Sequence, residues 1–300
     1  MNEVQSLQKP VTLEQILALD LPPIIVWAAP VMLSLVAAEW ILSYYKKKDF
    51  YDGKDTLAAA VVGLVNVALS FLIKSINFGI IIFFWNLVPW TIPHTWWSYV
   101  LCLIFIDFWR YWAHRVAHES RFWWATHVTH HSSKKYNWSV SFRLGWTQYI
   151  KIIFFVPVAL AGFDPFVFFI CHQIEVLYQF WIHSEYIRKL PKPIEYIFTT
   201  PSHHRVHHAV NDHYMDKNYG STFIIWDRIF GTFQPEGEQA IYGITKPVNS
   251  YNPVYLCFHE WIDIFKDVRR SKSLKEAYQM IFTRPSRLKE VKLRYPHQKE

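Results

Sequence analysis

Residues 114–131 read HRVAHESRFWWATHVTHH and hold five histidines: His114, His118, His127, His130 and His131. Some seventy residues later the stretch SHHRVHH, Ser202–His208, repeats the H-x-x-H-H spacing with His204, His207 and His208. On a helix, positions i, i+3 and i+4 share a face. His114 can therefore grip one ion with His118, His127 with His130 or His131, and His204 with His207 or His208. A single ion takes about four to six donors, so eight imidazoles fit two metal ions better than one. A lone histidine is usually a satisfied core or surface residue; eight in a repeated register point to a metal centre.

Two polar stripes accompany the clusters. Asp107, Arg110, His114 and His118 follow one another at spacings of 3, 4 and 4, and so do His172, Glu175, Gln179 and His183. Ionisable groups in an apolar helix face a partner or a cavity, so both stripes are expected to line one interior pocket beneath the metals. His183 is a further expected ligand. His172 lies deeper, with Arg110, Glu175 and Gln179 as pocket residues, and His203 extends the third cluster or donates a hydrogen bond beside it. Glu119, next to His118, is expected to orient an imidazole or bind metal. Asp107 is read either as a catalytic carboxylate or as the ion-pair partner of Arg110.

The elements that must carry these residues are those of a membrane protein. Of the 300 residues, 52% are hydrophobic, 18% aromatic and only 18% charged, with 15 Trp; soluble chains usually carry about 25% charge. Residues 1–20 lack the cationic flank and short apolar core of a cleaved signal peptide. Ile24–Tyr45 is about long enough to cross a bilayer, and Lys46-Lys47-Lys48 sets that end on the cytoplasmic side. Glu39 inside it is expected near the interface or paired with another helix. Leu57–Val88 predicts one long tilted helix or a helix and a shorter piece. Trp96–Trp112 returns the chain to the cytoplasm, and the eighteen steps to His114 cover roughly 27 Å, close to the hydrocarbon thickness.

Tyr149–Phe163 and Phe166–Ile182 predict a short apolar hairpin around Gly162-Phe163-Asp164-Pro165. The expected fold is all-α: a polytopic bundle of about four transmembrane helices under a cytoplasmic helical cap. Residues 24–113 supply three membrane helices, 149–182 the hairpin, and 114–148 with 183–245 the cap. Residues 246–300 form a basic segment with twelve Lys/Arg against six Asp/Glu, which is read as facing anionic lipid rather than nucleic acid. Within it Leu274, Ala277, Tyr278 and Ile281 share a helical stripe that suits a membrane surface or packing against the cap. Cys102, Cys171 and Cys257 form no CxxC and are expected to be small packing residues.

A histidine-rich pair of ions opening onto an apolar pocket suits O₂ chemistry on a lipid. Two irons supply electrons to split O₂, while the protein orients the substrate; zinc also binds such a site. With no GxGxxG or P-loop pattern, the electrons are expected from a separate donor.

The motifs extend beyond the histidines. DFWRYWAHRVAHE (Asp107–Glu119), HVTHHSSKKYN (His127–Asn137), FWIHSE (Phe180–Glu185), TPSHHRVHHA (Thr200–Ala209) and NYGSTFIIWDRIFGTF (Asn218–Phe233) resemble the fatty acid hydroxylase/sterol desaturase superfamily of membrane diiron enzymes, and look most like its alkylglycerol monooxygenase branch. That resemblance implies two iron ions, O₂, and hydroxylation beside the ether oxygen of an alkylglycerol, whose product collapses to a fatty aldehyde and glycerol. It also implies tetrahydrobiopterin as reductant; otherwise an electron-donor protein serves. The localisation implied is a multi-pass protein of a bacterial inner membrane or the endoplasmic reticulum.

Two other readings stay open at this level. A sterol or fatty acyl desaturase/hydroxylase would use the same oxidant. A metal transporter or metal-binding scaffold would need ligands spread across the membrane, whereas the clustered histidines map to one side.

Overall fold

The computed structural model describes residues 9–12, 14, 15, 18 and 22–298. The signal-peptide question concerns residues 1–20, most of which lie outside that range. Among the described residues the chain is all-helical, with pairing between extended segments limited to isolated bridges such as Phe198 with Phe223. We number the α-helices of eight residues or more.

Helix α1, Ile24–Tyr45, follows Pro22-Pro23 and stops at the lysine triplet. Helix α2 spans Gly53–Asn86 without a break, so the long run predicted from the sequence is one helix; the Asp52 carboxylate caps it by accepting from Asp55 N at 2.8 Å. Windows at Ile24–Tyr45 and Gly53–Ser70 are long and apolar enough to cross a membrane. Their large apolar side chains point outward, among them Trp27, Val31, Leu33, Leu57, Leu64 and Leu72. In water such a surface would be costly, and in lipid it is solvated.

Helix α3 runs Trp96–Glu119 and therefore carries the predicted membrane segment and the first two histidines on one rod. Thr95 and Ser98 close a capping box at its start. After it come the short helices Arg121–Trp124 and Val128–His131, then two 3-10 segments, Trp138–Phe142 and Gln148–Phe155, and the short helix Val156–Leu160. The first arm of the predicted hairpin is thus mostly 3-10. The second arm is α4, Pro165–Trp181, with Pro165 at its first position and Asp164 accepting from Phe166 N at 2.8 Å. Gly162 turns the hairpin at φ +91°, where a Cβ would meet the Trp90 ring at 2.5 Å.

Trp85, Ile106, Phe163, Phe168 and Cys171 anchor the apolar core shared by α2, α3, α4 and the 3-10 segment. The three cysteines are free and buried, as expected. Helix α5, Pro201–His208, carries the third histidine cluster behind Thr200 and Pro201. Helices α6, Pro253–Arg270, and α7, Leu274–Phe282, close the chain's C-terminal side. On α7 the members of the predicted stripe are exposed or half-buried. Leu274 and Tyr278 face outward, 92% and 64% exposed, while Glu276 and Met280 form the buried face. Glu276 turns inward because it accepts from Lys272 N and from Gln298 Nε2.

Candidate metal centre

Four structural elements deliver the histidines by different local logic. His114 and His118 sit on adjacent turns of α3. His127–His131 occupy a short turn held from behind by the buried Arg143, whose guanidinium donates to Thr129 O at 3.1 Å and Ser132 Oγ at 3.1–3.2 Å. Asp55 at the start of α2 neutralises Arg143 at 2.6 Å. His204, His207 and His208 lie along α5, and His183 just beyond the end of α4 swings in beside them.

The nine rings sort into two groups. His114, His118, His127, His131 and His207 form one, and His130, His183, His204 and His208 the other; within each, the ligand atoms lie within 4.8 Å of one another. The i, i+4 pairs named from the sequence stay together: His114 with His118, His127 with His131, His204 with His208. The i+3 neighbours cross over, so His130 and His207 serve the opposite group. Each H-x-x-H-H motif is therefore a bridge, with adjacent residues His130/His131 and His207/His208 facing different centres. The groups touch: His131 stacks on His208 with centroids 4.3 Å apart.

The spacing fits metal ions. A metal–imidazole bond of about 2.0–2.1 Å sets neighbouring donors roughly 3.0–3.4 Å apart. In the four-histidine group His183 Nε2 is 3.1 Å from His130 Nε2 and 3.0 Å from His204 Nε2, which is 3.2 Å from His208 Nε2. In the other group His131 Nε2 is 3.2 Å from both His127 Nε2 and His207 Nε2.

Hydrogen bonds from the far side fix the tautomers. His114, His183 and His207 place Nδ1 against the carbonyls of Tyr219, Gln179 and Lys217 at 2.9, 2.7 and 3.0 Å. A carbonyl only accepts, so these Nδ1 atoms carry the proton and each Nε2 turns a lone pair inward. Lone pairs converging at 3 Å repel unless a cation lies between them. The residues present therefore fit two metal ions.

Protons are a poor substitute for those cations. Burial lowers the pKa of His127, His130, His131, His204 and His208 well below the usual value, with neighbouring charges adding to it. His183 falls to about 3 and His207 to about 4, again chiefly through burial. An unfolded imidazole takes its proton near pH 6.5, so between that pH and the folded values the unfolded chain binds more protons. The stability of the metal-free protein is accordingly complete above about pH 7 and is lost as pH falls towards 4. Melting the metal-free, detergent-solubilised protein from pH 7.5 to 4.5 should show this decline; a flat profile would mean that the folded site already takes up protons.

The surrounding polar residues have specific tasks. Asp107 is fully buried and accepts from Thr222 N, Phe223 N and Trp226 Nε1 at 2.6, 3.2 and 2.8 Å. The Asp107–Arg110 ion pair is corrected, because Arg110 pairs with Glu175 across α3 and α4 at 2.7 Å. Asp107 instead faces the loop at residues 222–226, whose N–H groups satisfy it. The two stripes thus meet as expected. His172 packs on Phe155 and Phe168, and Gln179 donates to Ser221 Oγ at 2.7 Å. Glu119 lies outside both groups, paired with Arg115 and with Arg284 of the C-terminal segment. His203 also lies outside them, with Nε2 3.0 Å from the Glu195 carboxylate.

Four residues that hold the site were not picked out by spacing. Asp227 accepts from Tyr219 N, Gly220 N and Thr232 Oγ1 at 2.8, 2.6 and 2.6 Å, fixing the loop whose Tyr219 carbonyl orients His114. Gly220 is required there, since a Cβ would stand 2.6 Å from Phe223 O. Arg205 donates to Ser184 O and Ile187 O, both at 2.8 Å, behind His183. Glu39 of α1, flagged in the sequence without a partner, accepts from Ser184 Oγ, Trp138 N and Tyr51 Oη at 2.8, 2.9 and 2.6 Å. The fourth is Arg143, described above.

With this geometry in hand, similarities to other proteins become informative. Residues 99–232 match the fatty acid hydroxylase family. The chain is 38% identical to the alkylglycerol monooxygenase of Homo sapiens over 273 residues, 89% of this chain and 60% of the relative. It is 31% identical to the ornithine lipid hydroxylase of Rhizobium tropici over 50% of this chain and 46% of that one. It is 28% identical to methylsterol monooxygenase 1 of Rattus norvegicus over 47% of this chain and 51% of that one. The chain therefore spans about three-fifths of the length of the alkylglycerol monooxygenase from Homo sapiens. No solved structure matches it.

Proposed function

We propose, from the premise that this chain belongs to the fatty acid hydroxylase family, that it is a membrane-bound lipid monooxygenase with two iron ions in its histidine groups. The observation that carries the reading is the pair of converging imidazole sets, five and four, at the end of an apolar helix bundle. The ions, when bound, supply the O₂-activating chemistry that removes hydrogen from a lipid C–H bond. An ether lipid of the alkylglycerol type is the first substrate to test, given the relatives' names; a sterol or an acyl chain is the second.

In this reading α1, α2, α3 and the hairpin cross or enter the bilayer, and the histidine face lies on the cytoplasmic side with residues 114–148 and 183–245 as its cap. The Arg110–Glu175 pair, one turn before His114 and two before His183, marks the polar end of the lipid's path. His172 lies deeper on that path, against Phe155 and Phe168. Glu119 and Asp107 act as positioning residues, Glu119 by tying α3 to Arg284 and Asp107 by holding the 222–226 loop. The carbonyls of Tyr219, Gln179 and Lys217 keep the inward nitrogens free of protons.

The test is to purify the chain after iron-supplemented expression, measure metal per chain, and follow O₂-dependent oxidation of alkylglycerols, sterols and acyl lipids. About two irons per chain and oxidation of one lipid class are expected. Fewer than one metal per chain, with no lipid oxidised under any reductant, would sink the reading.

A further inference from the structure

Two exposed apolar stripes run into the same short segment. On α3 the exposed Trp97, Leu101 and Phe105 follow one another at i+4, and Phe108 carries the stripe on to the Trp226 and Phe230 rings, 5.1 and 6.3 Å away. On α4 the exposed Ile174 is followed at i+4 by Tyr178, whose hydroxyl donates to Thr199 O at 2.8 Å. Phe108 precedes His114 by six residues, so the loop at residues 226–230 stands roughly 9 Å from that histidine, back along the apolar part of α3.

The segment suits lipid at that depth. Around the short helix Lys192–Ile197, the side chains of Ile194, Tyr196, Ile197 and Phe198 are exposed. Arg228 ties the 226–230 loop to them, donating from Nε to Tyr196 O at 3.2 Å and from Nη2 to Glu195 O at 3.3 Å, and the next residue, Ile229, is 64% exposed. The acid of the segment turns the other way: Glu195 is buried, accepting from Leu190 N, Thr200 Oγ1 and Ser202 Oγ. A contiguous apolar patch of this kind is costly in water. It continues two stripes that are themselves apolar and outward-facing.

A cavity of about 240 Å³ opens beside the patch and brings three cations together, Lys189, Lys192 and Arg228. Its two acids are already engaged, Glu195 with His203 and Glu236 with Arg205. Among the described residues neither lysine has a hydrogen-bond acceptor or a carboxylate partner. The Arg228 guanidinium lies flat on the Phe233 ring, 3.7 Å from its centre, which holds the charge in place without neutralising it. Apolar side chains below, a tyrosine among them and cations at the edge are the order in which a leaflet presents acyl chains, boundary and headgroups.

We propose that residues 192–198 and Ile229 form a shelf sunk into the cytoplasmic leaflet, with Lys189, Lys192 and Arg228 holding the phosphate of an anionic lipid at its edge. The shelf is a membrane contact inside the stretch 183–245, which otherwise caps the metal centre. It rests on α3 entering the bilayer and requires nothing of the metals or of the reaction.

Quenching by nitroxide-bearing lipid tests it on the full-length protein in phosphatidylcholine nanodiscs. The native cysteines are buried, so a fluorophore goes to single introduced ones. Tyr196→Cys should be quenched about as strongly as Leu101→Cys on α3, and the exposed His213→Cys hardly at all. Moving the nitroxide from phosphatidylcholine to phosphatidylglycerol should deepen the quenching of Tyr196→Cys. Lys189→Gln and, separately, Lys192→Gln should each weaken that preference about fivefold. Equal quenching by the two lipids, or a preference untouched by either lysine variant, overturns the headgroup site. Tyr196→Cys left unquenched while Leu101→Cys is quenched overturns the shelf alone; if it is also shielded from iodide in the water, another protein chain covers the patch instead. Leu101→Cys left unquenched overturns the placement of α3 in the bilayer and the shelf with it.

Discussion

Changing His204 to alanine is expected to leave about one metal ion per chain in place of two and to reduce lipid oxidation to background. His204 Nε2 stands 3.0 Å from that of His183 and 3.2 Å from that of His208, near the middle of the four-histidine group. Losing a hydrogen-bond partner behind a ligand already costs about 10–100-fold in metal affinity, and losing a donor outright should exceed that. The five-histidine group shares no ring with it and should keep its ion. The adjacent His203 supplies the contrast, being bonded to Glu195 outside both groups. His203→Ala should retain both ions, as should the exposed His213→Ala. Metal analysis of the three purified variants decides the matter. A His204 variant that still carries two ions would break the division into five and four.

Replacing Asp227 by alanine should act on the other ion without touching a ligand. The carboxylate is fully buried and receives two backbone N–H groups and one hydroxyl. Removing it strands those donors, and at about 1–3 kcal/mol for each buried unsatisfied group the folded state should lose about 3 kcal/mol or more. The released segment includes Tyr219, whose carbonyl sets the tautomer of His114. The ion of the five-histidine group should therefore leave about 10–100 times more readily under a chelator, while the four-histidine ion is unaffected. Asp227→Asn keeps one acceptor oxygen and should recover part of both losses. Chelator-release kinetics with two phases would show the selective effect, and equal acceleration of both phases would count against it.

These expectations also show what could be read from sequence. The i, i+4 pairing of His114 with His118 and of His204 with His208 follows from helical spacing alone, and so did the meeting of the two polar stripes. The crossing of His130 and His207 between centres did not, because it depends on how three separate elements dock. Asp107 has Arg110 three residues away on the same helix, so the local pair looked sufficient. The structure answers with partners more than a hundred residues distant, Thr222 and Phe223. Glu39 was visible as an anomaly in an apolar run, but its three donors come from Tyr51, Trp138 and Ser184 and leave no pattern. Backbone carbonyls such as Tyr219 O and Lys217 O have no residue signature at all. The inward turn of Glu276 on α7 has no sequence signature either, because its donors are Lys272 N and the distant Gln298.

One property of the site reaches beyond its geometry. Every donor in the two groups is a histidine; among the described residues no carboxylate or thiolate joins either set. Imidazole binds as a neutral molecule, so two divalent ions would keep all four of their positive charges inside a buried pocket. Carboxylate-built di-iron sites in helical bundles cancel much of that charge with their glutamates. Here nothing in the donor sets does, and uncompensated positive charge favours the state with more electrons. An all-imidazole shell would thus favour the reduced state of any redox-active ions it held.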